Sequence, residues 1–173
     1  MPTINPPKPS FTKDFDGWNE YKKKLEVRKS PLRRYDQQKD RYYYDFYPRE
    51  VWYCSIGVNI GVEICGKNED FERPASILKK SGRLFICLPM TSKKPSNENL
   101  YFDLSFTDDS GSLVESYVAI TNPVSLDVNR LLRRVRKISP EKFSNLLQKH
   151  VEFLQNYPKT IPPIKGGLRV QNG

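Results

Sequence analysis

Three glycines within ten residues, Gly57, Gly61 and Gly66, separate two apolar runs at residues 51–56 and 75–78. Such a segment suits a chain that leaves one strand, turns sharply and returns as another. Glycine takes positive φ without steric cost and lets the backbone approach a ligand closely. Glu63, Lys67 and Arg73 put charges of both signs on this loop. Pro74 pushes the preceding Arg73 into an extended backbone, which holds it at the start of the second strand. A third apolar run, 84–88, leads into Pro89-Met90-Thr91-Ser92-Lys93. Hydroxyls at a strand end beside a charged glycine loop form a candidate phosphate-binding site.

Further short strands are expected. Residues 101–106 alternate in polarity, Asp108-Asp109-Ser110-Gly111 turns a hairpin, 116–120 is another strand, and 130–138 includes the last. The Lys-, Pro- and Asn-rich stretch between Ser92 and Leu100 reads as a surface loop. Ser139 caps a helix with Pro140 at its first position and Glu141 in its first turn. Phe143, Leu146, Leu147, Val151 and Leu154 give that helix one apolar face. At the other end, Pro2, Pro6, Pro7 and Pro9 oppose regular structure. Asp14 or Asp16 caps a helix running to about Lys29, with Phe15, Trp18, Tyr21 and Leu25 on one side, and Ser30-Pro31 ends it. This helix is expected to pack on the body of the protein through Trp18.

Residues 30–48 hold Tyr35, Tyr42, Tyr43, Tyr44 and Tyr47, interleaved with Arg33, Arg34, Lys39 and Arg41. Stacking rings with cations suit a single-stranded nucleic acid. The other reading is a connector laid along the body, favoured because Asp36, Asp40 and Asp45 dilute the charge. From Tyr157 onward, prolines and Gly166-Gly167 indicate a disordered tail. The expected organisation is an arm (1–48), a folded domain (49–156) and a tail (157–173).

With 173 residues the chain accommodates one domain plus extensions, and a hydrophobic content of 37% with 14 prolines leaves much of it outside a packed core. The net charge of +9 is uneven. Residues 1–48 carry 11 Lys/Arg against 7 Asp/Glu, 49–156 carry 15 against 13, and 157–173 carry 3 against none. The folded domain is thus nearly neutral, and the charge supports a polyanionic partner only modestly. The densest basic run, Arg130, Arg133, Arg134, Arg136 and Lys137, has two readings: a guide for a polyanion, or a solvated strand that anchors an acidic segment. No apolar run approaches the roughly 18 residues of a membrane span, and no secretion signal opens the chain. Cys54, Cys65 and Cys87 lack Cys-x-x-Cys spacing, so reduced thiols in a cytoplasm are expected, with Cys54 and Cys87 as small core residues.

Four sequence elements carry a family resemblance. Arg49-Glu50-Val51-Trp52 precedes Gly61-Val62-Glu63-Ile64-Cys65-Gly66, then Arg73-Pro74 opens a strand and Pro89-Met90-Thr91-Ser92 ends one. In this order and spacing they resemble the PemK/MazF toxins of type II toxin–antitoxin systems, over residues 49–156. The resemblance implies an α+β fold: a small SH3-like β-barrel of the PemK/MazF/CcdB type with a C-terminal helix, here extended by an N-terminal helical arm. It implies a cytoplasmic homodimer that cleaves single-stranded RNA, is held by a cognate antitoxin, and meets DNA only through that antitoxin. It assigns catalysis most directly to Arg73 and Thr91.

The chemistry fits those residue types. His150 is the only histidine. It falls on the C-terminal helix and reads as a surface residue, so a two-histidine mechanism or a Ser-His triad is excluded. RNA supplies its own nucleophile, the 2′-hydroxyl. Arg73 offers a planar, permanently charged fork for phosphate. Thr91 hydrogen-bonds a non-bridging oxygen and Ser92 adds a second bond. Glu63 is the candidate base, Lys67 and Lys93 contact flanking phosphates, and Asn59 joins the RNA-binding set. No metal or cofactor is required. Each of the three central residues also has a plain structural role open to it: Arg73 pairing with Glu63 or Glu72, Thr91 bonding its own backbone, Glu63 capping the loop. One departure stands out. Where relatives carry Gln-x-Arg, this chain has Thr121-Asn122-Pro123-Val124, and an Arg/Asp acid–base pair used in one branch falls on Ala119 and Thr121. A catalytically degenerate barrel that binds RNA or protein, or a CcdB-like inhibitor of a protein target, therefore remains the alternative.

Overall fold

The computed structural model describes residues 13–61 and 63–156. The proline-rich start and the 157–173 tail lie outside the described residues. Helix α1 (Phe15–Val27) begins at Asp14, whose carboxylate accepts a hydrogen bond from the Gly17 N–H at 2.7 Å. Eleven strands follow: β1 (Arg33–Asp36), β2 (Arg41–Tyr44), β3 (Glu50–Ser55), β4 (Glu72–Ser81), β5 (Leu84–Thr91), β6 (Tyr101–Asp103), β7 (Phe106–Thr107), β8 (Leu113–Val114), β9 (Tyr117–Ala119), β10 (Val124–Asp127) and β11 (Leu131–Lys137). Helix α2 (Pro140–Gln155) closes the described chain, with the Ser139 hydroxyl accepting from the Lys142 N–H at 3.3 Å. The fold class is α+β, as expected.

The main sheet is antiparallel in the order β11-β3-β4-β5-β9-β6. β5 carries two partners on its second edge: Leu84–Cys87 pairs with β10, while Met90 and Thr91 pair with β9. The ladder does not close on itself, because β11 and β6 are its two ends. Both faces are covered. Trp52 and Cys54 of β3 pack with Ile77, Phe85, Cys87, Val128 and Leu131 in one cluster. Val51 of the same strand packs with Leu88, Met90, Val118, Ile138, Phe143 and Leu146 in the other. This is why β3 reads as a continuous apolar run rather than an alternating one.

Several expectations need correction. Within residues 30–48, read as a connector laid along the body, 33–36 and 41–44 form an antiparallel hairpin, β1 with β2, registered Arg33↔Tyr44 to Asp36↔Arg41. Phe46 of this segment is fully buried in the core, and Leu32 and Tyr44 pack against it. The run 101–106 breaks into β6 and β7, because Leu104 turns fully into the core and its N–H bonds the Ser116 carbonyl. β10 was not expected at all: four residues after a proline carry too little periodicity to be read. His150 is buried rather than exposed, donating from Nδ1 to the Ile120 carbonyl at 2.7 Å. On α2 Phe143, Leu146 and His150 are buried and Leu147 packs against the same cluster, while Val151 and Leu154 face outward. Leu146→Ala is therefore expected to lower stability by about 3 kcal/mol, by lost burial plus the cavity left behind. Leu154→Ala should change it by no more than about 0.5 kcal/mol. Urea denaturation with a common slope measures both.

Candidate functional site

The segment between β3 and β4 is tied at its base. The Gly66 N–H donates to the Gly57 carbonyl at 2.7 Å, the Gly57 N–H to Phe71, and Lys67 and Glu72 exchange backbone hydrogen bonds at 2.8 and 2.9 Å. Gly57 sits at φ +97°, and a Cβ there would lie 2.4 Å from the Trp18 ring. Gly66 passes so close to Phe71 that a Cβ would overlap its carbonyl. These glycines are demanded by packing as much as by turning.

The N-terminal arm braces this loop. Trp18 is buried, lies 5.3 Å from the Phe71 ring and has the Arg130 guanidinium 5.0 Å over its face. Lys13 donates to the Asn59 and Gly61 carbonyls at 2.6 and 3.2 Å. Tyr21 donates to Asp70 at 2.8 Å, and Asn129 holds the Leu25 carbonyl at 3.0 Å.

The β4–β5 ladder reaches Ala75↔Pro89. Arg73 and Thr91 each lie two residues beyond that last pair on their own strands, so alternation puts Arg73 on the face of Ala75 and Thr91 on the face of Pro89 and Cys87. Arg73 is half-buried and its Nε donates to the Cys65 carbonyl. Neither structural role open to it is taken. Glu72 is engaged by Arg133 through a two-pronged pair at 2.6 and 2.9 Å, and Glu63 accepts from the Ile60 N–H at 3.1 Å. No carboxylate among the described residues pairs with Arg73. Burial lowers its guanidinium pKa, and the opposing influences are Cys65 and Tyr101. A half-buried cation without an anion carries a desolvation cost that an incoming phosphate would offset.

Thr91 does bond its own backbone: Oγ1 accepts from the Lys93 N–H at 3.2 Å. That bond orients the hydroxyl and leaves its hydrogen to donate. Thr91 and Lys93 line an open cleft of about 460 Å³ with Lys94, Pro95, Leu100 and Tyr101. Ser92 and Lys93 are exposed at its mouth. Tyr101, which the sequence did not single out, borders both this cleft and Arg73. Its one visible signal was its place as the first residue after the polar loop.

Glu63 and Asn59 lie elsewhere. With Ile64, Pro89, Thr121 and Val124 they border a separate cavity of about 340 Å³. Asn59 spends its side-chain N–H on the Ile64 carbonyl at 2.7 Å. Lys67 is exposed on the base of the loop. The structure thus gathers Thr91 and Lys93 beside Tyr101, which also acts on Arg73, with Glu63 and Asn59 at Pro89, two residues along β5 from Thr91. Val124, at the position of the absent arginine, pairs with Cys87 and packs on the core.

Most of the basic run at 130–137 is engaged in holding the fold. Arg130 donates to the Ser55 carbonyl at 3.0 Å, Arg133 lies 3.8 Å over Tyr53 while gripping Glu72, Arg134 reaches Glu50 at 3.1 Å, and Arg136 covers Phe106 at 4.0 Å. Glu50 is itself buried and accepts from Trp52 Nε1 at 2.9 Å. Arg49 takes φ +74° and donates twice to the Ile138 carbonyl, at 3.0 and 2.9 Å. The Arg49-to-Trp52 motif is therefore structural.

Cys54 and Cys87 are fully buried, and burial pushes the Cys54 thiol up, whereas Cys65 is partly exposed beside Arg73. Brief iodoacetamide treatment of the native protein is expected to modify Cys65 alone, with the other two reacting only in denaturant. Peptide mass spectrometry reads the outcome.

A family model described as "PemK-like, MazF-like toxin of type II toxin-antitoxin system" matches residues 48–154. No curated protein matches the chain at significant similarity. Among solved structures, an endoribonuclease in complex with its cognate antitoxin from Mycobacterial species is 13% identical, at TM-score 0.47 over 64% of this chain and 97% of that one. MazF from Deinococcus radiodurans is 18% identical, at TM-score 0.47 over 62% and 94%. The Mycobacterium tuberculosis toxin MazF-mt6 is 14% identical, at TM-score 0.43 over 61% and 96%. With more than half of its length matched by the family model, the chain belongs to the PemK-like, MazF-like toxins of type II toxin–antitoxin systems.

Proposed function

We propose that this toxin is a metal-independent endoribonuclease for single-stranded RNA, acting in the cytoplasm as a homodimer and restrained by a cognate antitoxin. The observation that carries this reading is Arg73: half-buried, lowered in pKa by desolvation, unpaired by any described carboxylate, and placed, like Thr91, just beyond the last β4–β5 pair, Ala75↔Pro89. An RNA phosphate is the anion this arrangement suits. In the reaction the 2′-oxygen attacks phosphorus and passes its proton to a base, for which Glu63 is the candidate. Charge builds on the non-bridging oxygens, where the Arg73 fork and the Thr91 hydroxyl stabilise it. The 5′-oxygen leaves with a proton, for which Tyr101, which lines the Thr91 cleft and acts on Arg73, is the candidate donor. The products are a 2′,3′-cyclic phosphate and a 5′-hydroxyl. Ser92, Lys93 and Lys67 hold flanking phosphates, and Asn59 faces the neighbouring nucleotide. Residues 49–156 form the catalytic unit and the arm supports its loop.

A second reading has one observation in its favour. Val124 has been absorbed into the core where relatives carry an arginine, which fits a barrel that binds RNA without cutting it. Incubating the protein with a long mixed-sequence RNA in excess EDTA, and mapping the ends, separates the two. Cuts at a recurring short motif with 5′-hydroxyl ends support the nuclease. Intact RNA, bound by folded protein, establishes the binding module instead.

A further inference from the structure

The β1–β2 hairpin lies outside the residues matched by the family model, and the fold makes little use of its aromatic rings. Tyr35, Tyr42, Tyr43 and Tyr47 are 49%, 59%, 38% and 45% exposed. The register puts Arg34, Tyr43, Asp36 and Arg41 on one face of the ribbon. Asp36, Arg41 and Tyr43 of that face, with Tyr35 and the 37–39 turn, join Tyr47 and Lys80 of the body in lining an open groove of about 620 Å³. Lys39, Arg41 and Lys80 bring three cations to it, against Asp36, 3.8 Å from Lys39, and Asp45, which acts on Lys80 and Tyr47 from beside the groove. Lys80 donates to the Tyr44 carbonyl and lies 5.1 Å over the Tyr47 ring, which leaves ammonium hydrogens for a further acceptor. On the opposite face Arg33 already stacks on Tyr42 at 3.7 Å, so a planar cation fits against these rings. Tyr43 has no such cover among the described residues.

We propose that this groove binds a single-stranded flank of an RNA, with bases stacking on Tyr43 and Tyr47 and phosphates meeting Arg41, Lys39 and Lys80. The RNA identity rests on the function proposed above, but binding here is separable from cleavage. The ligand must supply flat rings and regularly spaced anions together. An acidic peptide supplies mainly the charge, and a duplex hides its rings. Stacking on an exposed aromatic is worth roughly 5- to 150-fold in affinity per base by alanine substitution. Each phosphate neutralised adds about 0.7 to the salt slope for a single strand.

The test is fluorescence anisotropy with a labelled single-stranded RNA of about twenty nucleotides, long enough to span a stacking groove. Methylation at every 2′-oxygen removes the nucleophile, so no variant cleaves it. The expected result is a loss of about 10-fold or more for Tyr43→Ala/Tyr47→Ala, near wild-type binding for Tyr43→Phe/Tyr47→Phe, and a shallower salt dependence for Arg41→Ala. These side chains are exposed, so circular dichroism should show the variants folded. A duplex of equal length should bind more weakly and ignore the tyrosine pair. Wild-type affinity in the double alanine variant would overturn the proposal. So would polyglutamate competing as well as unlabelled single strand. Cleavage by a protein whose RNA binding ignores the hairpin would sink this inference alone. Hairpin-dependent binding without cleavage would sink the nuclease reading alone.

Discussion

Arg73→Ala is expected to slow cleavage of single-stranded RNA by about 10²-fold or more, the scale seen when a charge-stabilising donor is removed from an active site. Stability should not fall in parallel. The guanidinium is half-buried with no carboxylate partner among the described residues, and its one assigned hydrogen bond is to the Cys65 carbonyl. Removing it gives up about 1 kcal/mol of hydrogen bonding and relieves the cost of an unpaired cation. The unfolding midpoint should therefore move little, or rise. Arg73→Lys should recover only part of the rate, because an ammonium cannot span two phosphate oxygens as a planar fork does. Single-turnover cleavage beside urea denaturation reads both quantities. A parallel loss of stability and rate would show Arg73 to be a structural residue.

Trp18→Ala is expected to cost about 4 kcal/mol, in the range for large aromatic side chains removed from a packed site. Trp18 is 6% exposed and fills the space over Gly57. Its loss uncovers Phe71 and the Arg130 guanidinium, which holds the Ser55 carbonyl at 3.0 Å. The consequence should be local as well as global. Amide exchange should accelerate in residues 57–72 more than in α2, because the arm packs on the glycine loop and not on that helix. Uniform acceleration would mean that the arm stabilises the fold without bracing the site.

Much of the fold was legible because its signals are local. The helix start at Asp14, one of the two aspartates that offered a cap, the Ser139-Pro140 start of α2 and the apolar strands at 51–56, 75–78 and 84–88 depend on neighbours in sequence, and each falls on an observed element. β10 and the hairpin at 33–44 were missed because a short polar strand is defined by its partner, and partners are not visible in a linear pattern. The apolar face of α2 was misjudged for a related reason. Periodicity marks which residues share a side, but the width of the contact depends on what lies beneath. Here His150 takes the place expected of Val151 and Leu154 by finding the Ile120 carbonyl.

For the site, the sequence by itself supplied the residue types and their order: a glycine loop, an arginine held extended by Pro74, and a hydroxyl ending the third strand. Family membership follows from that order. Only the tertiary structure decided who pairs with whom. Glu72 goes to Arg133 and Glu50 to Arg134, so Arg73 is left without an anion, while Arg130 and Arg136 are turned inward onto carbonyls and rings. A charge becomes available for function only when every nearer opposite charge is already occupied. That depends on distances between residues dozens of positions apart.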